Sequence, residues 1–235
     1  MPHYHSRGVP VPTKLLVLPL GDPYSKMAEL TRWQTYSVDP GFSTHTIYQP
    51  ASPPDVLKMP VLVWGETGCT YNSLVFQTFL NEVASHGIFV VAAGTPNGGN
   101  NPNGVYDTEH PNGTVLVQAV DWVVGEYAKS KYPNVDSSRI AVAGHSCGGT
   151  QSYMLYDDPR ITTIGIFNSG LFPPDGETSH PIPGKLEKPI FYFLGGPTDI
   201  AYTNVGEPVL GPGRYLLRMP HKPTNSRFGL DLSLE

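Results

Sequence analysis

Apolar and polar positions along the chain fall into short blocks of two kinds. Val61 to Trp64 is wholly apolar, as are Ile88 to Ala93 and Ile140 to Ala143, and Ile161 to Phe167 and Ile190 to Leu194 are nearly so. Runs of this length without alternation suit strands buried on both faces of a parallel sheet. Thr44 to Gln49 alternates instead and reads as a strand, closed by Pro50 and the Pro53-Pro54 turn. Between the strands the period lengthens. Leu74 to His86 sets Phe76, Phe79, Leu80 and Val83 at helical spacing, with Gly87 where a helix ends. Val115 to Tyr127 carries Leu116, Ala119, Val120, Val123 and Tyr127 on one stripe, and a further helix is predicted from Gly149 to Tyr156.

Strands alternating with helices, most of the strands nearly all apolar, describe an α/β fold around a mostly parallel sheet. Residues 1–30 have weak periodicity and four prolines before position 20, and read as a poorly structured N-terminal segment. The periodic pattern covers 31–202, and 203–235 diverges from it. Pro173 to Lys188 has no periodic signal and is expected to be a loop over the sheet.

With 235 residues the chain suits one domain whose core needs no disulfide framework or structural metal. Charged residues make up only 15% and the net charge is -5, which argues against nucleic-acid binding. Gly and Pro number 25 each and mark many turns between short elements. Two cysteines, Cys69 and Cys147, exclude a four-thiolate zinc site, and the histidines lack ligand spacing outside His3 and His5, so no metal or other cofactor is expected. The longest early apolar run, Leu15 to Leu20, is broken by Pro19 and falls well short of the ~20 residues a membrane span needs. It is also too short for a signal-peptide core. The sequence as it stands is therefore expected to be cytoplasmic, or secreted if its true start lies elsewhere. Asn112-Gly113-Thr114 is a glycosylation sequon that matters only in the second case.

The chemistry concentrates in Gly144-His145-Ser146-Cys147-Gly148, a G-x-S-x-G pattern that a buried strand enters and a helix leaves. Such a turn lifts the serine hydroxyl clear of the sheet. Flanking glycines remove the Cβ atoms that would clash, and the first N–H groups of the helix point to where an oxyanion would form.

On these residues the chain resembles the α/β-hydrolase superfamily, and within it the dienelactone hydrolase, chlorophyllase and polyester-hydrolase-like branch. The matching segments are Val61 to Cys69, Phe79 to Gly87, Ile88 to Ala92, Ala119 to Trp122, Gly144 to Gly149 and Leu194 to Asp199, within a span from Trp33 to Tyr202. The resemblance implies an α/β-hydrolase fold and a serine hydrolase of carboxylic esters, working through an acyl-enzyme on a small or polymeric ester as a monomer. It implies Ser146 as nucleophile and Asp199, after the strand Ile190 to Leu194, as the acid that orients a histidine. The backbone N–H of Cys147, with that of Glu66 or Thr67, would form the oxyanion hole.

The histidine departs from the pattern. The family carries it in a glycine-flanked loop before a last amphipathic helix, and neither stands after Tyr202. The only histidine beyond Asp199 is His221, between Pro220 and Lys222-Pro223, after a run Tyr215 to Met219 that could form the last strand. His221 is either the general base or part of a solvated tail. In the second case the chain is a catalytically impaired or truncated hydrolase-fold protein acting as a binding module. His145, His86, His110 and His180 read as structural or solvated. Tyr71, Phe172 and Tyr202 are candidates to face an acyl or aromatic group. In this fold the loops bearing Cys69 and Cys147 meet at the active site, where the two form either a disulfide bracing the oxyanion hole or a pair of buried thiols.

Overall fold

The computed structural model describes residues 36–51, 53, 58–96, 98, 113–170, 187–195, 199 and 201, and the backbone of 35 and 214–218. The N-terminal 30 residues, most of the loops 94–104 and 173–188, and the sequon's Asn112 lie outside this set.

Five apolar runs become β3 (Met59–Gly65), β4 (Phe89–Ala93), β5 (Val135–His145), β6 (Ile161–Phe167) and β7 (Ile190–Leu194). The alternating segment becomes β2 (Phe42–Gln49), preceded by β1 (Thr35–Asp39), and β8 spans Arg214–Arg218. The eight strands lie in the order β1-β2-β4-β3-β5-β6-β7-β8. Only the β1–β2 and β2–β4 pairs are antiparallel. The helices are α1 (Gln77–Ser85), α2 (Thr114–Val124), α3 (Glu126–Lys131) and α4 (Cys147–Tyr153).

Both faces of the sheet are covered, which is why the apolar runs of its central parallel strands show no alternation. One face packs Val61, Val63, Phe89, Val91, Ile140, Val142, Ile164 and Ile166 against Leu116, Ala119, Val120 and Val123 of α2. The other gathers Tyr48, Trp64, Val90 and Ala143 with Leu80 and Ala84 of α1. Trp64 is its centre, with Phe76, Phe79 and Phe167 ring centroids 5.4, 5.3 and 5.2 Å away. Among the described residues no helix is long and apolar enough to cross a membrane.

Three elements differ from the sequence reading. β1 carries no apolar run, because Tyr36 and Val38 are 37% and 38% exposed on an edge strand held by its pairing to β2. The helix expected over Val115 to Tyr127 divides at Gly125, whose extended backbone (φ −73°, ψ 155°) separates α2 from α3. β5 begins at Val135, five residues before its apolar part, because the polar stretch Val135–Arg139 leads into the sheet.

The antiparallel edge is tied down by one carboxylate. Asp39, buried at the end of β1, accepts hydrogen bonds from the Tyr127 hydroxyl (2.8 Å), the Tyr132 hydroxyl (2.6 Å) and the Gly41 amide (2.8 Å). Lys131 Nζ stands 2.9 Å away. Burial pushes this carboxyl up, but its four partners outweigh burial and hold it at about 2. Its contribution is therefore complete above the ordinary aspartate value and is lost as pH falls through about 2. Asp39→Ala should lower the unfolding free energy by about 2 kcal/mol at neutral pH. Urea denaturation repeated at decreasing pH should show the gap to wild type closing across the acid range.

Candidate active site

The carboxyl ends of β3, β5, β6 and β7 lie side by side, and each sequence-predicted site residue within the described set follows one of them. β5 runs into Ser146, which adopts φ +52° and ψ −117° before α4 begins at Cys147. A non-glycine residue in this region costs on the order of 1–3 kcal/mol and persists only where its surroundings hold it. Here they do. The Ser146 amide donates to Phe167 O at 3.0 Å, and its carbonyl accepts from Gly149 N (2.9 Å), Thr150 N (3.1 Å) and Ser169 Oγ (2.5 Å).

Glycine is required at Gly144 and Gly148 for close approach. A Cβ on Gly144 would lie 2.4 Å from the Gly148 carbonyl, and one on Gly148 would lie 2.1 Å from the carbonyl oxygen of Gly65. With both absent, the Gly148 amide reaches Glu66 O at 3.1 Å and fastens the start of α4 to the end of β3. That bond engages the second amide of α4, and Cys147 supplies the first.

The loop after β3 runs through Glu66 into a short 3-10 turn, Thr67–Cys69. Gly68, Cys69 and Tyr71 all have positive φ (58°, 48° and 53°), so the loop is tightly coiled. Cys69 and Cys147 form a disulfide with Cα atoms 5.5 Å apart, and no free thiol remains. The bridge joins the loop of Glu66 and Thr67 covalently to the residue after Ser146.

Asp199 follows β7. Its Oδ2 accepts from Asn168 Nδ2 (2.6 Å) and Gly195 N (2.9 Å), and its Oδ1 from Ala201 N (2.9 Å). Burial pushes this carboxyl up, but the Gly195 and Ala201 amides, the Asn168 side chain and nearby His145 together hold it below the ordinary carboxylate range. It is an ionised acceptor at neutral pH.

Sequence reasoning missed Asn168 and Ser169. They follow β6 directly, and they bracket the site. Asn168, itself at φ +44°, holds the acid, while Ser169 holds the carbonyl of the candidate nucleophile. Their position just past a buried strand, at the same sheet edge as Ser146 and Asp199, was the available signal.

His221, His110, His180, Phe172 and Tyr202 lie outside the described residues. His145 packs on Phe76 with ring centroids 4.9 Å apart. Burial holds its imidazole below the ordinary histidine range, against the opposing pull of Asp199. His86 is exposed, 3.2 Å from Glu82. Among the described residues no histidine is hydrogen-bonded to Ser146 or Asp199, and no three His, Cys, Asp or Glu side chains gather as metal ligands.

No family model matches the chain. It is similar to cutinase 2 of Thermobifida cellulosilytica, with 31% identity over 149 residues, 63% of this chain and 51% of that protein. It is also similar to cutinase cut1 of Thermobifida fusca and to a cutinase of Thermobifida fusca strain YX. Each is 32% identical over 145 residues, 62% of this chain and 41% of the relative. The match thus spans about half the length of these curated relatives or less.

The bridge closes a loop of sequence separation 78, for which chain entropy assigns about 4.5 kcal/mol. The double variant Cys69→Ser with Cys147→Ser should lose about that much unfolding free energy in urea denaturation. Wild type denatured under reducing conditions should match it.

Proposed function

We propose that the chain is a serine hydrolase of carboxylic esters. The observation that carries this reading is the backbone of Ser146, held at positive φ by hydrogen bonds from β6, α4 and Ser169 at a strand-to-helix turn. Nothing in packing the sheet requires a serine in that conformation. A nucleophile that must stand clear of the strand ends does.

In this mechanism Ser146 Oγ attacks the acyl carbon while His221 takes its proton. The oxyanion of the tetrahedral intermediate is met by the amides of Cys147 and of Glu66 or Thr67. His221 returns the proton to the leaving alcohol, and the acyl group remains on Ser146. Water, losing its proton to the same histidine, attacks the acyl-enzyme and releases the acid. Asp199 fixes the histidine's tautomer and stabilises its charged form. The steps need no cofactor. The three protein bonds already on Asp199 suit that role, because they keep it charged and fixed in direction.

The ester class is favoured by the similarity to cutinases. Within that class the candidate branch is the one that includes dienelactone hydrolases, chlorophyllases and polyester hydrolases, acting as a monomer on a small or polymeric ester.

Intact mass after exposure to a fluorophosphonate tests the reading. Wild type should gain one adduct, and Ser146→Ala should gain none. Ser146→Ala and His221→Ala should each lower hydrolysis of a p-nitrophenyl ester on the order of 10⁶-fold. An unlabelled, folded wild type would mean that the elbow is not activated, and the chain would then be a binding module on a hydrolase fold.

A further inference from the structure

Glu66 takes part in the site through its backbone, yet among the described residues its side chain is the one carboxyl group buried without a hydrogen-bond partner. The residue is 1% exposed, and neither carboxyl oxygen has a hydrogen-bond partner. A buried carboxylate left in that condition is strongly disfavoured, whereas a buried carboxylic acid needs only one acceptor for its proton. The surroundings offer one.

β3 and β5 pair in register up to Gly65 opposite Gly144, so Glu66 and His145 come next on their strands. Alternation sets Glu66 on the face of Trp64, and His145 on the same face as Ala143, which is opposite Trp64. His145 Nδ1 and Trp64 Nε1 are likewise buried without partners. Phe76 packs on both Trp64 and His145 and closes this pocket from the side of α1. An acid proton, an orphan imidazole nitrogen and an orphan indole N–H are thus grouped under the elbow. One buried water that accepts the Glu66 acid proton and donates to His145 Nδ1 would satisfy the first two, and the second carboxyl oxygen is left to accept from the indole N–H.

Resting on the hydrolase reading for its purpose, we propose that Glu66 is a positioning residue of the oxyanion loop that acts as an un-ionised carboxylic acid with His145 and Trp64, and that its ionisation releases the loop. The link to the loop is direct. The carbonyl of Glu66 carries the bond from Gly148, and the 3-10 turn and Cys69 follow at once. Charging the side chain drives it toward water and pulls on that carbonyl.

The groups facing Glu66 do not offset a negative charge. Trp64 comes from β3 and the lowered His145 from β5. From β2 comes Tyr48, whose hydroxyl already donates to Ser73 O at 2.5 Å. Burial, and after it the charge on Glu66, pushes that phenol up. No Lys or Arg among the described residues pairs with Glu66. Burial pushes its carboxyl up to about 8, against a smaller lowering pull from the Trp64 N–H, which faces it without reaching hydrogen-bond geometry. A raised native value means that stability is full below the ordinary glutamate range and is lost as pH rises through about 8.

Two measurements that need no turnover test this. In infrared spectra of wild type minus Glu66→Gln at neutral pH, a protonated-carboxyl band should be present and should vanish as pH rises through about 8. In hydrogen exchange followed by mass, amides of 65–73 in wild type should exchange faster than in Glu66→Gln, the ratio growing by roughly tenfold per pH unit from the ordinary glutamate range up to about 8 and levelling off above it. Below the ordinary glutamate range the two should agree. If Glu66→Gln does not fold, the wild-type exchange, normalised to peptides in β6, must rise up to the pH at which the wild-type band is lost and level off there. Absence of the band, or exchange that ignores its loss, overturns the proposal. Failure of fluorophosphonate labelling with both signatures intact would overturn the hydrolase reading alone.

Discussion

One backbone-to-backbone contact governs this molecule: the end of β3 and the start of α4 touch where neither has a side chain. Gly65, Gly144 and Gly148 approach so closely that a Cβ on any of them would lie 2.1–2.7 Å from the nearest backbone atom of another. No packing of larger residues could bring a helix start so close to a strand end. From that approach come the Gly148-to-Glu66 hydrogen bond, the forced backbone of Ser146 and the distance over which Cys69 and Cys147 can be joined. Exchanging one of the three glycines for alanine would disturb the turn at Ser146 and the loop after β3 together.

The remaining architecture supplies a fixed frame. Parallel strands deliver their carboxyl ends to one edge, and in an open α/β sheet ligands gather outside that edge. Four consecutive positions along it, after β3, β5, β6 and β7, carry Glu66, Ser146, Asn168 with Ser169, and Asp199. Asn168 and Ser169 stand between the others, Asn168 bonded to the Asp199 carboxylate and Ser169 to the Ser146 carbonyl. The carboxylate Asp39 fixes the antiparallel edge of the same sheet, and an aromatic cluster packs around Trp64, two residues before Glu66. The two carboxylates, Asp39 and Glu66, are both buried and have opposite fates, because one has four donors and the other has none.

The sequence was legible wherever local pattern and burial agree. β6 and β7 match their apolar runs end to end, and the glycine-serine-glycine turn between a buried strand and a helix pointed directly to the elbow. Legibility failed where long-range partners decide. β1 is exposed and exists by pairing with β2. Gly125 ends α2 although the apolar stripe continues to Tyr127. Asn168 and Ser169 look like ordinary turn residues until Asp199 and Ser146 are placed beside them. The burial of the Glu66 side chain depends on Trp64, Phe76 and β5, which no local window contains. His221, which the sequence alone singled out after Asp199, belongs to a stretch outside the described residues.

The way β3 and β5 meet also sets a schedule. They are neighbours in the sheet, but α1, β4, α2 and α3 come between them in the chain, and β4 is inserted on the other side of β3. As the polypeptide emerges from the ribosome, the Glu66 carbonyl and Cys69 appear first and wait for partners that follow only after the intervening crossovers are made. Pairings so distant in sequence form late and slowly. Until then nothing holds Ser146 at positive φ, so its backbone is set only once these strands and α4 have come together.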